Sequence, residues 1–318
     1  MAYVGIQTQI WRNNRHSILL LIGFPLLLLG LVWAIIFILV KDEYGALDLA
    51  NEYFLGAAPI VVIGVTIWFL IAWAAHGVMI RAATSAKPLE RKENMRVYNM
   101  VENLAMSRGM RTPKINIIYD DSLNAFASGL SEKNYTITLS KGIIDKLDDD
   151  ELEAVIAHEL THIINKDVRL LVVSIIFVGI FAFLAETLIR MFLRSGRVRV
   201  KSSSNGKGKG GGGAIILIVA VILVSYFISL LIRFSISRKR EFMADAGAAE
   251  LTKKPEALAS ALRKISEDPW IESVKRDDVA QMFIEHPKKK ESSFLSFFTN
   301  LFATHPPIDK RIEALEQY

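Results

Sequence analysis

Two histidines and a glutamate stand close together in the segment LEAVIAHELTHIINKD, residues 152–167. In a helix each residue turns the chain by about 100°, so His158 and His162, four positions apart, can reach the same point in space. Glu159 lies beside them. Two imidazoles and a carboxylate spaced in this way form the H-E-x-x-H arrangement that binds zinc. The competing interpretation is a chance match on an ordinary helix, expected in roughly one chain in a hundred.

A catalytic zinc site needs a third protein ligand, and Glu241 in the segment SRKREFMADAGAAE is the candidate. Asp245, one helical turn later, could accept a hydrogen bond from the outer N–H of a ligating imidazole. On the residues alone, a solvated carboxylate in a basic cluster explains Glu241 equally well. The chain has no cysteine, so a metal here must use histidine, carboxylate or water.

The composition indicates an integral membrane protein. Hydrophobic residues make up 52% of the chain and the mean hydropathy is +0.31, which is too apolar for a typical soluble protein. The first two of the four apolar segments are long enough to cross a bilayer, which takes roughly 20 residues. The net charge is +5, but the basic residues crowd the segment ends, which favours lipid phosphates and not nucleic acid as partners. The four segments are residues 17–40, 55–79, 170–185 and 214–232.

The flanking charges predict how the chain is oriented. Arg12 and Arg15 precede the first apolar segment, and Arg81 and Lys87 follow the second, whereas acids dominate the loop between the two. The positive-inside rule then places the N-terminus and the region after Arg81 in the cytoplasm.

The linker between the third and fourth apolar segments carries seven cations and no acid over residues 190–213. Two interpretations remain open, namely two full spans with an atypical outer loop or a hairpin that dips into the bilayer and returns. In either case the chain comes back to the side it left.

The sequence predicts four parts. Residues 1–80 form an N-terminal membrane hairpin, and residues 81–169 form the first catalytic part. Residues 170–232 form a second membrane hairpin with a Gly- and Lys-rich loop, and residues 233–318 form the second catalytic part.

The soluble parts are predicted to be mainly α-helical with one small antiparallel sheet. Alternating apolar residues separated by turn residues place its strands near residues 115–119, 125–128 and 135–139. Ser140 is expected to cap a short helix. The acidic run at residues 148–150 is expected to cap the helix that carries His158 and His162.

Four motifs in combination resemble the HtpX family of membrane zinc proteases, which are related to the CAAX prenyl endopeptidases. They are AHELTHI at residues 157–163, REFMADAGA at 240–248, NAFASG at 124–129 and THPPIDKRI at 304–312. The resemblance covers essentially the whole chain. It implies about four membrane helices and a zincin-type α+β catalytic domain that faces the cytoplasm. The Gly- and Lys-rich insert at residues 205–213 departs from the short periplasmic loop of that family.

For the site, the resemblance implies a gluzincin-type endopeptidase with one Zn²⁺ per chain. His158, His162 and Glu241 are then the ligands, Glu159 is the catalytic base, and Asp245 supports a ligand. The implied substrates are polypeptides, above all misfolded or damaged membrane proteins, in a stress response.

Two further groups are candidates for contact with substrate. His305, on a turn stiffened by two prolines, and Arg311 are candidate oxyanion partners, although His305 could instead shape the turn and Arg311 pair locally. Asn124, Ala125 and Phe126 are candidates for a strand edge that binds extended peptide. Phe126 is equally well explained as a core residue.

Hypotheses from other classes remain open. A noncatalytic membrane scaffold could hold a structural zinc on the same three ligands, but such a site has no use for Glu159. An exopeptidase usually needs a group that anchors the free amino terminus, and the sequence identifies none.

Overall fold

The structure is a computed structural model that describes residues 6–195, 219, 223, 238–267, 284 and 306–318. The longer helices over these residues are α1 Ile6–Val40, α2 Ala46–Thr84, α3 Met95–Ser107, α4 Lys141–Lys146, α5 Asp149–Ile164, α6 Asp167–Ser195, α7 Arg238–Thr252, α8 Pro255–Glu267 and α9 Ile308–Glu316. The strands are β1 Lys87–Pro88, β2 Lys114–Ile118, β3 Ala125–Ser128 and β4 Thr136–Ser140. The predicted mainly helical fold with a small sheet is confirmed at this level.

The chain divides into two compact units. One unit comprises Met1–Ser17, Trp73–Val173 and Arg233–Tyr318, and it contains the sheet and α3, α4, α5, α7, α8 and α9. The other comprises Ile18–Ala72 and Ser174–Ile232 and contains most of α1, α2 and α6.

Two described helices are long and apolar enough to cross a bilayer. They cover Asn14–Val40 and Ala46–Thr84, and none of the residues in the most apolar stretch of the second is fully buried. The predicted third segment lies within α6, which also carries Glu186 and Arg190. The predicted fourth segment falls outside the described residues apart from positions 219 and 223. Of the roughly four predicted membrane spans, two therefore correspond to described helices that could cross a membrane.

Aromatic stacking and one polar contact join the helices of the apolar unit. Phe177 of α6 stacks on Phe24 of α1, with ring centroids 5.0 Å apart, and on Phe69 of α2 at 5.4 Å. The indole N–H of Trp33 donates a 2.9 Å hydrogen bond to the Asn51 side chain, joining α1 to α2. A polar group among apolar helices costs free energy unless it has a partner, so this bond favours the pairing of α1 with α2.

The sheet is mixed, and the prediction of a purely antiparallel sheet is wrong in one strand pair. The strand order is β1-β2-β4-β3, and β2 runs parallel to β4 while the β1–β2 and β3–β4 pairs are antiparallel. The strand positions were predicted to within one residue, apart from the two-residue β1. Alternation of apolar residues sets where a strand lies but not which neighbour it pairs with.

A hairpin connection pairs β3 with β4. Gly129 after β3 has φ +122°, a conformation that side chains rarely adopt, and an added Cβ would lie 2.6 Å from the Asn134 carbonyl oxygen. The Asn134 side chain accepts hydrogen bonds from the backbone N–H groups of Leu130 and Ser131. The chain then returns so that β4 lies between β2 and β3, and among the described residues no second strand pairs with β3.

Helix α5 is anchored at its first turn as its sequence predicts. The Asp148 side chain accepts from the Glu151 N–H and the Glu151 side chain accepts from the Asp148 N–H, which forms a capping box. Glu151 is buried and also accepts hydrogen bonds from Ser260 and Lys264 of α8. Burial raises the pKa of Glu151, but these hydrogen bonds outweigh burial and hold the pKa below its usual value. The start of α5 is therefore tied to α8.

Candidate metal centre and active site

Helix α5 presents the two histidines on one face, as their spacing predicts. The Nε2 atoms of His158 and His162 lie 3.2 Å apart. His158 is fully buried and His162 is partly buried. The helix also carries buried apolar residues that fix it in the core, namely Leu152, Val155, Ile156, Leu160 and Ile163.

Helix α7 packs against α5 and brings the third predicted ligand to this point. The Glu241 carboxylate lies 3.7 Å from His158 Nε2 through Oε2 and 3.6 Å from His162 Nε2 through Oε1. One ligand atom from each of the three residues lies within 4.8 Å of the others. Seventy-nine positions separate His162 from Glu241 in the sequence (241 − 162 = 79), and only the packing of α7 on α5 brings them together.

The close approach of α7 to α5 depends on a glycine. A Cβ added at Gly247 would lie 2.4 Å from Cγ2 of Thr161. The Thr161 hydroxyl donates a 2.8 Å hydrogen bond to the Ala157 carbonyl, which fixes its rotamer within α5. Glycine in a helix interior costs about 1 kcal/mol relative to alanine, so its presence here is explained by helix packing and not by helix propensity.

We expect Gly247→Ala to destabilise the protein and to weaken metal binding. The clash costs about 1–3 kcal/mol, which exceeds the gain of about 1 kcal/mol in helix propensity, and it pushes Glu241 away from the histidines. Thr161→Ser removes Cγ2 but keeps the hydroxyl, so the double variant should regain most of both losses. The measurements are the melting temperature in detergent and zinc affinity, with Thr161→Ser alone as the control. A Gly247→Ala protein more stable than the wild type would contradict the packing described here.

Each histidine has a carboxylate at its other ring nitrogen. His158 Nδ1 lies 2.9 Å from Oδ1 of Asp245. His162 Nδ1 lies 3.0 Å from Oδ2 of Asp167. Carboxylates in these positions orient the rings so that the Nε2 atoms face a common point.

Asp167, the carboxylate partner of His162, was not among the site residues that the sequence predicted. It lies five positions after His162, at the first residue of α6, and the chain turns between them through Lys166 at φ +59°. Asp167 is also near the buried Arg240, whose Nη1 lies 3.4 Å from the Asp167 carbonyl oxygen and 3.7 Å from its Oδ1. The available signal was that Asp167 is the acidic residue at the end of the INKD segment. If the helix had continued without a break, however, the Asp167 side chain would have pointed away from His162.

Glu159 is buried beside the histidines and next to the edge of the sheet. The Ala127 N–H donates a hydrogen bond to its carboxylate. Burial raises the pKa of Glu159 above its usual value, while the two histidines act in the opposite direction. A carboxylate in this position lies close to the histidine donor atoms and to strand β3.

Strand β3 includes the predicted peptide-binding residues Ala125 and Phe126, and Asn124 directly precedes it. The Ser140 N–H donates to the Asn124 carbonyl, so the backbone groups of Asn124 and Phe126 face β4 and those of Ala125 and Ala127 face away. The Ala125 carbonyl accepts a 2.9 Å hydrogen bond from the Ile284 N–H. Phe126 is fully buried, which agrees with its interpretation as a core residue.

Of the two predicted oxyanion partners, only Arg311 is described. Its side chain is fully buried and approaches the same cluster, with Nη1 3.6 Å from Oε2 of Glu241. His305 lies outside the described residues.

The donor set fits a zinc ion. Nitrogen donors at about 2.0–2.1 Å from zinc in a tetrahedral arrangement lie about 3.3–3.4 Å from one another, close to the 3.2–3.7 Å separations of these side-chain atoms. Burial lowers the pKa of His158, but the Asp245 and Glu241 carboxylates outweigh burial and raise it to about 9. The same carboxylates that stabilise a proton on His158 favour a metal cation at this point.

The chain is similar to known proteins over its whole length. Residues 91–318, which contain all the candidate site residues, match peptidase family M48. The protease HtpX homolog of Bacteroides fragilis strain YCH46 is 57% identical over 325 residues, with 100% of both chains covered. That of Listeria monocytogenes serotype 4a is 37% identical, covering 97% of this chain and 98% of its own.

A solved structure, S. mikatae Ste24p, matches with a TM-score of 0.48 and 20% identity, over 97% of this chain and 67% of that chain. The resemblance to the HtpX family that the motifs indicated is confirmed by the full-length relatives. This chain therefore belongs to the HtpX proteases of peptidase family M48, and it is a metalloprotease.

Proposed function

We propose that this metalloprotease is a zinc-dependent endopeptidase with one Zn²⁺ per chain, held by His158, His162 and Glu241. The observation that carries the proposal is the convergence of three ligand atoms within 4.8 Å, with the buried carboxylate of Glu159 beside them. Asp245 and Asp167 hold the two imidazoles in orientation through their Nδ1 atoms.

A zinc ion held by His158, His162 and Glu241 would supply a Lewis acid for polarising the scissile carbonyl and for lowering the pKa of a water molecule. Glu159 takes the proton from the attacking water and later passes it to the leaving amine. The hydrogen bond from the Ala127 N–H helps to hold this buried carboxylate beside the histidines. His305 is proposed to stabilise the negative charge that develops on the carbonyl oxygen.

An internal site in a polypeptide is the proposed target. Strand β3 lies at the sheet edge, where an extended peptide can add as a further strand through backbone hydrogen bonds that do not depend on side-chain identity. Asn124, Ala125 and Phe126 belong to this proposed edge. Because Ala125 already pairs with Ile284, a bound peptide either replaces that bond or continues past it toward Ala127.

The proposed setting is the cell inner membrane, with the catalytic domain facing the cytoplasm and misfolded or damaged membrane proteins as substrates under stress. Two candidate membrane helices and the positive charges that follow the second support this orientation. Four membrane passes are part of the proposal, with α6 and residues 214–232 as the second pair.

The test is the hydrolysis of an unfolded protein by the detergent-purified chain. We expect cleavage that stops after a chelator removes the metal and returns when stoichiometric zinc is added. Mass spectrometry should find internal fragments. Stepwise loss of terminal residues would indicate an exopeptidase, and zinc bound at one per chain without hydrolysis of any unfolded substrate would favour the structural-zinc scaffold.

A further inference from the structure

Arg311 of α9 is a charged side chain with 0% exposure, placed against the candidate metal ligands. Its Nη2 lies 3.5 Å from Nε2 of His158. A fully buried guanidinium is costly unless acceptors surround it, so its partners indicate its role.

The first partner is Asp245, which Arg311 binds with two nitrogens. Arg311 Nε donates to Oδ2 at 2.9 Å and Nη2 donates to Oδ1 at 2.7 Å. Such a two-point pair fixes the plane of the carboxylate as well as its charge. The same Oδ1 atom lies 2.9 Å from Nδ1 of His158. The orientation of the Asp245 carboxylate therefore determines how it meets the His158 ring.

The second partner leads to the edge of the sheet. Arg311 Nη1 donates to the Ile284 carbonyl at 3.2 Å, and the Ile284 N–H donates to the Ala125 carbonyl at 2.9 Å. One guanidinium thus connects a metal-binding histidine, through Asp245, with strand β3, through Ile284. Three of the five guanidinium N–H groups donate to these protein oxygens and the side chain is fully buried, which does not favour the predicted direct contact of Arg311 with a substrate oxyanion.

We propose that Arg311 is a positioning residue that clamps Asp245, so that the Asp245 carboxylate holds the His158 ring with Nε2 toward the metal. This inference rests on the proposed zinc site. It makes helix α9, at the C-terminal end of the chain, part of the metal centre. Lysine keeps the charge but cannot form the two-point pair with Asp245, so Arg311→Lys separates the clamp from the charge.

The experiment compares zinc affinity, by competition with a chelator, in wild type, Arg311→Lys, Asp245→Asn and the double variant. Loss of an outer partner of a ligand typically weakens metal binding about 10–100-fold, and we expect Arg311→Lys to fall in this range. If Arg311 acts through Asp245, the double variant should bind no more weakly than Asp245→Asn alone. The absorption spectrum of the Co²⁺-loaded Arg311→Lys protein should also change. Lys310→Ala, an exposed neighbour on α9, is the matched control.

Wild-type zinc affinity and an unchanged Co²⁺ spectrum in a folded Arg311→Lys protein would overturn the positioning role. Additive losses in the double variant would do the same, since they would show that the two residues act independently. Arg311→Ala with added guanidinium gives a second route, because a guanidinium ion that fills the vacated space should restore zinc affinity and failure to restore it counts against the clamp. If the wild type itself binds no zinc, the proposed zinc site fails and this inference fails with it.

Discussion

Replacing Glu159 with glutamine is expected to lower the rate of peptide hydrolysis by about 10²–10⁴-fold and to leave one zinc per chain. Glutamine has the same shape as glutamate, and its amide oxygen can still accept the hydrogen bond that the Ala127 N–H donates. The amide cannot take a proton from water at neutral pH. The variant therefore removes the base without disturbing the packing of α5.

The measurement is hydrolysis of an unfolded protein by wild type and Glu159→Gln, with metal content determined in both. Glu153→Gln is the matched control, since Glu153 lies on the same helix and is only partly buried. Equal turnover by Glu159→Gln and wild type at equal zinc would remove Glu159 from the chemistry. A structural-zinc scaffold predicts that the substitution changes nothing that the assay detects.

Replacing Glu241 with alanine is expected to weaken zinc binding by more than the 10–100-fold that the loss of an outer partner usually costs. The substitution removes the one carboxylate that lies within 3.7 Å of both histidine Nε2 atoms among the described residues. It also leaves two nitrogen ligands where zinc sites in enzymes generally use three protein ligands. Activity should fall with metal content and return only in part at high zinc concentration.

Glu250→Ala is the control for Glu241→Ala. Glu250 lies on the same helix but is exposed and pairs with Arg108 at 3.2 Å, so its loss should leave zinc affinity unchanged. Circular dichroism would check that both variants remain folded. A Glu241→Ala protein that binds one zinc as tightly as the wild type would show that the third ligand is a different residue.

The local features of this protein were determined by its sequence. The i, i+4 spacing of His158 and His162 on a helix requires no knowledge of the fold, because the helical turn alone places them on one face. The caps at Ser140 and Asp148 were predicted in the same way, since side-chain oxygens satisfy the N–H groups at a helix start wherever the helix lies. The positions of the longer strands followed from the alternation of apolar residues.

Tertiary structure alone decided which distant residues meet. The packing of α7 on α5 through Gly247 brings Glu241 to the histidines, and α9 inserts Arg311 behind Asp245. The family resemblance pointed to Glu241, but the residues themselves left a solvated carboxylate equally plausible. Sheet order also depends on where chain segments return. These contacts have no local signal because they depend on packing between segments far apart in sequence, and periodicity records only the burial of one face of each segment. The contact of Asp167 with His162 is local, but it depends on the backbone turn at Lys166, which helical periodicity does not predict.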